Sequence, residues 1–242
     1  MKYKSTKLRH EQKYIINYQE YNALKLRLTG LMKSDPHCGE SGYHIRSLYF
    51  DDVYSTAYNE KQSGVEYRQK YRVRIYNKSD DMIKLERKEK YGEFISKQSV
   101  VITKDEFYNL VSGNDIGFLL KSDSEMPPQM YWAIRTKLLK PAVIVDYRRD
   151  VLICDDGNVR ITFDRELQAG IDTPDIFSNV HVIDALNPDT MVLEVKYDDF
   201  LPSYIKKALQ IKSQSREAVS KYVYCREMQF LHNPAARLNF II

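Results

Sequence analysis

Cysteine, proline, glycine and long apolar runs are all scarce in this chain, and each scarcity closes off a class of protein. Its cysteines, Cys38, Cys154 and Cys225, are three in number and far apart, which excludes a disulfide framework and offers no zinc-ligand spacing. A reducing, cytoplasmic setting is the resulting expectation. The 8 prolines and 9 glycines are scattered, so they form no linker or low-complexity segment, and no internal repeat is found. No apolar run approaches the roughly 20 residues of a membrane helix, and the opening MKYKSTKLRHEQKY lacks the apolar core of a signal peptide. The chain itself therefore reads as soluble. A surplus of one charge is also missing: 37 basic against 33 acidic residues leave +4, so this is no polycation that coats nucleic acid, and any basic site has to come from arrangement. The 5 histidines show no ligand spacing. What remains is 43% hydrophobic and 12% aromatic, enough for a sizeable core in one domain over residues 1–230, with 231–242 as a C-terminal tail.

The most informative stretch is Glu66–Tyr76, EYRQKYRVRIY. Arg68, Lys70, Arg72 and Arg74 occupy alternate positions, with Tyr71, Val73 and Ile75 between them. Successive side chains on a strand point to opposite faces, so the segment has one cationic and one apolar face. Like charges roughly 7 Å apart repel by about 0.6 kcal/mol in water and about 2.4 kcal/mol at an effective dielectric near 20. Such a face calls for bulk water or a polyanion, and repetition of the pattern on other strands decides between them.

The alternation does recur. Leu8–Ile16 places Arg9, Glu11 and Lys13 on one face, and Met82–Tyr91 does the same with Lys84, Glu86, Lys88 and Lys90. Further strands are expected over His44–Asp51, Glu93–Ile102 with Lys97 and Ser99 on one face, Pro141–Leu152 with Tyr147 and Arg149, Asn158–Asp164 with Arg160, and Met191–Tyr197 with Glu194 and Lys196. Between them, Asn17 with Glu20 and Thr103 with Glu106 have capping-box spacing, predicting helices over about 18–33 and up to about Val111. An apolar helix around Met130–Leu139, a short one from Pro202 to about Lys212 and a longer one over Ser215–Phe230 follow. Ser34–Gly42 reads as a loop, Asp51–Lys61 as a turn or short helix, and Arg165–Asp189 as irregular.

About eight strands with charged residues on one face, plus roughly four helices that must pack on the apolar faces, imply an α+β fold. The expected form is a closed, antiparallel, eight-stranded β-barrel tunnel with a charged lumen and helices outside. A lumen rich in Arg and Lys is unstable unless it is wet or holds an anion, and a linear polyanion such as a triphosphate or polyphosphate suits the bore. A nucleic-acid binder is disfavoured, since the basic residues alternate with apolar ones instead of forming an exposed stripe with stacking aromatics.

HEQKY at 10–14, SLYFD at 47–51, the run Arg68 to Arg74, LERK at 85–88, VRITFD at 159–164, LEVKY at 193–197 and SKY at 220–222 together resemble the VTC polyphosphate polymerase domain. That domain is one of the triphosphate tunnel metalloenzymes, or CYTH-like proteins. The resemblance runs in order from about residue 8 to 224. It implies ATP as donor, Mn2+ or Mg2+ as cofactor and inorganic polyphosphate as product and acceptor; the sequence leaves open a membrane partner that receives the chain. Arg72 and Arg74 match the R-x-R that grips nucleotide phosphates, a task suited to bidentate guanidinium groups. Lys13 and Lys88 match strand lysines that contact phosphate; Lys61, Lys97, Arg149 and Arg160 match other basic tunnel positions. Lys221, with Ser220, is placed at the phosphate site by the resemblance alone. Arg68 and Lys70 are expected to line an entrance, and Tyr147 to hydrogen-bond a phosphate, with core packing as its alternative. Glu194 matches a metal-binding glutamate, with a salt bridge to Lys196 as the alternative, and Glu11 and Glu86 assist. Arg9 replaces the first carboxylate of the superfamily's E-x-E-x-K, which weakens the case for a two-metal hydrolase. Asp51 and Asp164 are expected to tie down tunnel arginines. A tripolyphosphatase or nucleoside triphosphatase using Glu11 or Glu86 as base, and a sensor without turnover, are the alternatives.

Overall fold

A computed structural model describes residues 9–36, 38–39, 42–92, 94–210 and 219–233. The fold is α+β. Its large antiparallel sheet has the strand order β1-β10-β8-β7-β3-β4-β5-β6, with β2 paired to β7 and β9 to β8, and six α-helices accompany it among the described residues. The eight-strand expectation describes the main path, and two short strands are additional. The ends of that path, β1 and β6, are not paired among the described residues. The chain divides into two compact units, the first Met1–His44, Tyr147–Leu167 and Leu186–Ser220, the second Ile45–Asp146, Gln168–Ala185 and Lys221–Ile242.

In the first unit, β1 (His10–Asn17) pairs with β10 (Thr190–Tyr197), and β10 with β8 (Val159–Gly170). The short β2 (Lys33–Ser34) lies within the segment expected as loop and pairs with the end of β7 (Lys140–Cys154). Helix α1 (Tyr18–Thr29) starts where the capping box places it: the Glu20 N–H donates to Asn17 Oδ1 at 2.9 Å and the Asn17 N–H to Glu20 Oε2 at 3.1 Å. Its buried face, Tyr21, Leu24 and Leu28, packs against Ile161, Phe163, Leu193 and Val195 of the sheet, together with Ile205 of α5 (Ser203–Ala208). Each such leucine contributes roughly 1.5–3 kcal/mol on burial. That packing fixes the apolar faces of β8 and β10, so their charged faces point the other way.

The second unit contains β3 (Tyr43–Asp51), α2 (Thr56–Gln62), β4 (Tyr67–Tyr76), β5 (Ile83–Tyr91), β6 (Phe94–Ile102), α3 (Lys104–Ser112), α4 (Met126–Lys137), β9 (Val182–Asp184) and α6 (Lys221–His232). Tyr71, Val73, Ile75 and Leu85 are buried against Phe107 and Leu110 of α3 and Met126 and Met130 of α4. Thr103 caps α3 with both halves of its box in place. Between β4 and β5, Asn77 and Lys78 both take left-handed backbone (φ 52 and 58), and the turn closes with the Ser79 N–H on the Tyr76 carbonyl at 2.9 Å.

Two expectations need correction. Residues 165–189 are not irregular throughout: β8 runs on to Gly170 and pairs with β9, with Glu166 in left-handed backbone (φ 54) and Leu167 and Ala169 buried. Helix α6 starts at Lys221, so Ser220 precedes it. The expected helix start at Ser215 and most of the tail lie outside the described residues.

Candidate functional site

The charged face of the second unit is built by cross-strand register. Arg68, Lys70, Arg72 and Arg74 of β4 stand opposite Lys90, Lys88, Glu86 and Lys84 of β5, and Lys88 and Glu86 stand opposite Lys97 and Ser99 of β6. Three lysines, Lys70, Lys88 and Lys97, thus form one row across three strands. These strands put eight cations (Arg68, Lys70, Arg72, Arg74, Lys84, Lys88, Lys90, Lys97) against the single carboxylate Glu86. Like charges directly opposite one another destabilise a sheet, so this face is costly in the absence of a polyanion.

Glu86 organises the site. It is 1% exposed and accepts from Arg72 Nε at 2.7 Å, with Arg72 Nη2 at 2.6 Å and Lys97 Nζ at 2.9 Å. Burial alone would raise its pKa; Arg72, Arg74 and Lys97 outweigh burial and hold the carboxyl well below the usual range. With both oxygens engaged, Glu86 orients arginines, and any service to a metal would require those pairs to open. Arg72 Nη1 also donates to the Tyr49 hydroxyl at 2.9 Å, and Arg74 Nε donates to Ser47 Oγ at 2.9 Å. Desolvation of the half-buried Tyr49 phenol raises its pKa, yet the charges of Arg72, Arg74 and Lys221 bring it below its ordinary value. Lys221, the first residue of α6, therefore acts electrostatically at the same place as the R-x-R. Lys70 lies 4.5 Å from the centre of the Tyr222 ring; burial, then Lys61 and Arg68, lower its pKa to about 7.

Asp51 does not tie down an arginine. It accepts the backbone N–H groups of Asp52 and Ala57 at 2.9 Å and of Tyr58 at 3.2 Å, and the hydroxyl of Tyr222. Its task is to anchor the start of α2, which carries Lys61, and through Tyr222 the start of α6, which carries Lys221.

In the first unit the register forms rows across β1, β10 and β8: Lys13–Glu194–Thr162, and Glu11–Lys196–Arg160. Here charges are mostly paired. Lys196 Nζ lies 2.5 Å from Glu194 Oε1, and Lys13 Nζ lies 2.9 Å from Glu11 Oε1 and 3.9 Å from Glu194 Oε2. Asp164 holds Arg149 in a two-point contact at 2.5 and 2.8 Å, the role expected for it. Burial works against the Arg149 cation, but Asp164 more than compensates and raises its pKa. Tyr147 lies under the Arg149 guanidinium at 5.3 Å. Arg160 donates to the Tyr43 hydroxyl at 3.1 Å and pairs with Asp35 at 3.0 Å.

The expected site residues thus assemble in two sets. Arg68, Lys70, Arg72, Arg74, Glu86, Lys88 and Lys97 share one sheet face, accompanied by Lys61 and Lys221; Glu11, Lys13, Tyr147, Arg149, Arg160 and Glu194 share another. Tyr49, Ser47, Tyr222, Tyr43 and Asp35 were not singled out from sequence. Ser47 and Tyr49 alternate with Asp51 in YHIRSLYFD, a signal that reading every second residue could have caught. Tyr222 lies beside Lys221 in SKY, but its partner Asp51 is distant in sequence.

Among the described residues no group of three or more His, Cys, Asp or Glu side chains gathers as a metal site. Mg2+ and Mn2+ do not require one, because hard cations of this kind bind through one or two carboxylates, waters and substrate phosphates. Glu194, 5% exposed and joined to Glu11 through Lys13, has that chemistry, and Thr162 Oγ1 beside it is buried without a hydrogen-bond partner. The residues present fit such an ion. No helix among the described residues is long and apolar enough to cross a membrane.

The VTC domain family matches residues 8–232. No curated protein matches. Among solved structures, the PH1012 protein of Pyrococcus horikoshii OT3 is 15% identical at a TM-score of 0.47, covering 88% of this chain and 97% of its own. A candidate adenylate cyclase of Bacillus halodurans is 13% identical at 0.46, covering 84% of each chain. A conserved hypothetical protein of Pyrococcus furiosus is 13% identical at 0.45, covering 88% and 96%. These scores lie below 0.5, and the family match alone carries the assignment.

Proposed function

The chain belongs to the VTC domain family, and on that footing we propose that it is a metal-dependent polyphosphate polymerase, moving the γ-phosphoryl group of ATP onto a growing polyphosphate chain. In this reading the eight-strand path closes as a tunnel in a single domain. The observation that carries the proposal is the face of β4, β5 and β6, where eight cations meet one carboxylate. A linear polyanion neutralises that face at the strand spacing on which the charges lie.

The terminal oxygen of a polyphosphate is already anionic near neutral pH. It attacks the γ-phosphorus, the bond to the β,γ-bridging oxygen breaks, and ADP leaves with the electron pair; no general base is required. Catalysis then reduces to alignment and charge neutralisation. Arg72, fixed by Glu86 and Tyr49, and Arg74, fixed by Ser47, present preformed guanidinium forks to the phosphates. Lys88, Lys13, Arg160, Arg149 and Lys221 supply further charge, with Tyr147 and Ser220 as hydrogen-bond donors. Lys61, Arg68, Lys70 and Lys97 guide the chain. Glu194, assisted by Glu11, would hold Mn2+ or Mg2+, whose chemistry is to neutralise charge on bridged phosphate oxygens. The setting proposed is the cytoplasm, with a membrane partner able to receive product.

A hydrolase of the same fold must activate water with a carboxylate base. Glu86 is a poor one, since its surroundings hold it ionised and engaged, and Glu11 is paired with Lys13. To test the proposal, purified protein is incubated with ATP and Mn2+ and the products are resolved on a polyphosphate gel. Chain growth is expected. Orthophosphate alone points to a hydrolase, and tight binding without turnover to a sensor; either result defeats the polymerase reading.

A further inference from the structure

Thr162 stands opposite Glu194 in register, completing the row from Lys13 through Glu194 across β1, β10 and β8. It is 2% exposed, and its Oγ1 has no hydrogen-bond partner. A hydroxyl withdrawn from water without a partner is a net cost, one that valine, of the same shape and equally suited to a strand, would avoid. The neighbours two residues away on its own strand face are committed elsewhere, Arg160 to Asp35 and Tyr43, and Asp164 to Arg149. The hydroxyl is therefore a buried oxygen that no protein group among the described residues engages.

We propose that Thr162 Oγ1, alongside the Glu194 carboxylate, is a direct ligand of the divalent cation; this rests on the reading of Glu194 given above. Cations of the Mg2+ class take about six oxygens and keep most places for water and substrate phosphate. One carboxylate and one neutral hydroxyl leave most of the ion's positive charge for those phosphates. The Lys196 ammonium caps Glu194 at 2.5 Å. A divalent cation on the same carboxylate would compete with that ammonium for Glu194.

The test measures Mn2+ binding to the full chain by calorimetry and by electron paramagnetic resonance of free Mn2+, with no nucleotide present. It compares the natural chain with Thr162→Val, Thr162→Ser and Glu194→Gln, and melts each protein without metal. Thr162→Val is expected to bind Mn2+ about tenfold more weakly, with Thr162→Ser close to the natural chain. Metal-free Thr162→Val is expected to melt a few degrees higher, because the orphaned hydroxyl is gone. A purely structural threonine does not give this pair of opposite effects. Unchanged Mn2+ affinity in Thr162→Val overturns the inference, and so does an equal loss in the valine and serine variants with lowered melting. If Glu194→Gln loses Mn2+ while Thr162→Val keeps it, Thr162 alone is refuted; if both keep it, the metal reading of Glu194 falls as well.

Discussion

Replacing Glu86 by glutamine keeps the shape of the side chain and removes the one carboxylate from the cationic face of β4, β5 and β6. Arg72 and Arg74 then lose the Glu86 charge in a nearly dry environment. Removing one partner of a buried ion pair costs about 3–5 kcal/mol, and the amide oxygen retains one acceptor, so about 3 kcal/mol is the working figure. Lys97 adds little, because its side chain is 52% exposed and its pair is screened. At about 2–4 °C per kcal/mol for a chain of this length, the melting temperature falls by about 6–12 °C. The pH dependence has a definite sign. Glu86 has a folded pKa held well below its unfolded value, so the folded state binds fewer protons. Its stabilisation is complete above about pH 5.5, begins to fade near the unfolded value of about 4.3 and is lost progressively as pH falls towards the much lower folded value. Thermal melts of the two proteins should therefore stay a constant distance apart from pH 8 to about 5.5 and converge below about 4. Saturating tripolyphosphate should raise the melt of the variant more than that of the natural chain, since the bound anion supplies the missing charge. A Glu86→Gln protein that melts within about 2 °C of the natural chain, or a gap that persists unchanged at pH 3, refutes the reasoning.

Lys70, with its pKa brought down to about 7, should take up a proton when a polyanion binds, so tripolyphosphate affinity should fall as pH rises from 6 to 8. Calorimetry in buffers of different ionisation heat reads that proton directly, and Lys70→Met should abolish the slope; the same slope in the variant contradicts the assignment. For the unliganded fold the sign is the opposite of the usual lysine case: the folded state binds fewer protons between about pH 7 and 10.4, and stability from this group rises across that window. Tyr222→Phe removes the hydroxyl that Asp51 accepts and should cost about 1–3 kcal/mol in a denaturant titration. It should also weaken ATP binding by loosening the start of α6 under Lys221, whereas a loss of stability with unchanged ATP affinity would confine Tyr222 to a structural part.

The strand faces were legible because period-two alternation is strict in EYRQKYRVRIY, in KLERKEK and in LEVKY, and helices α1 and α3 because Asn17 with Glu20 and Thr103 with Glu106 carry both halves of a cap. Pairing was not legible. Whether Glu86 would stand opposite Lys70, Arg72 or Arg74 depends on register, which the turn around Asn77 and Lys78 sets through its left-handed backbone. Asp51 was misassigned for a related reason: a carboxylate at a strand end is drawn to the free N–H groups of a following helix as readily as to a cation, and sequence does not rank the two. The continuation of β8 was hidden because Glu166 interrupts the alternation, and only the burial of Leu167 and Ala169 reveals which way the strand proceeds. Thr162 alternates with Arg160 and Asp164 on one strand face, but an unsatisfied hydroxyl is visible only when all its neighbours are placed.

The central claim is that the cationic face of β4, β5 and β6 grips a chain of phosphates during elongation. A crystal structure with tripolyphosphate and Mn2+ tests it most directly. The account predicts phosphates in a row along β4, with Arg72 and Arg74 in two-point contact with their oxygens and Glu86 still holding Arg72 from behind. Phosphates bound away from Arg72 and Arg74, or a face that stays free of anion at saturating tripolyphosphate, would contradict it.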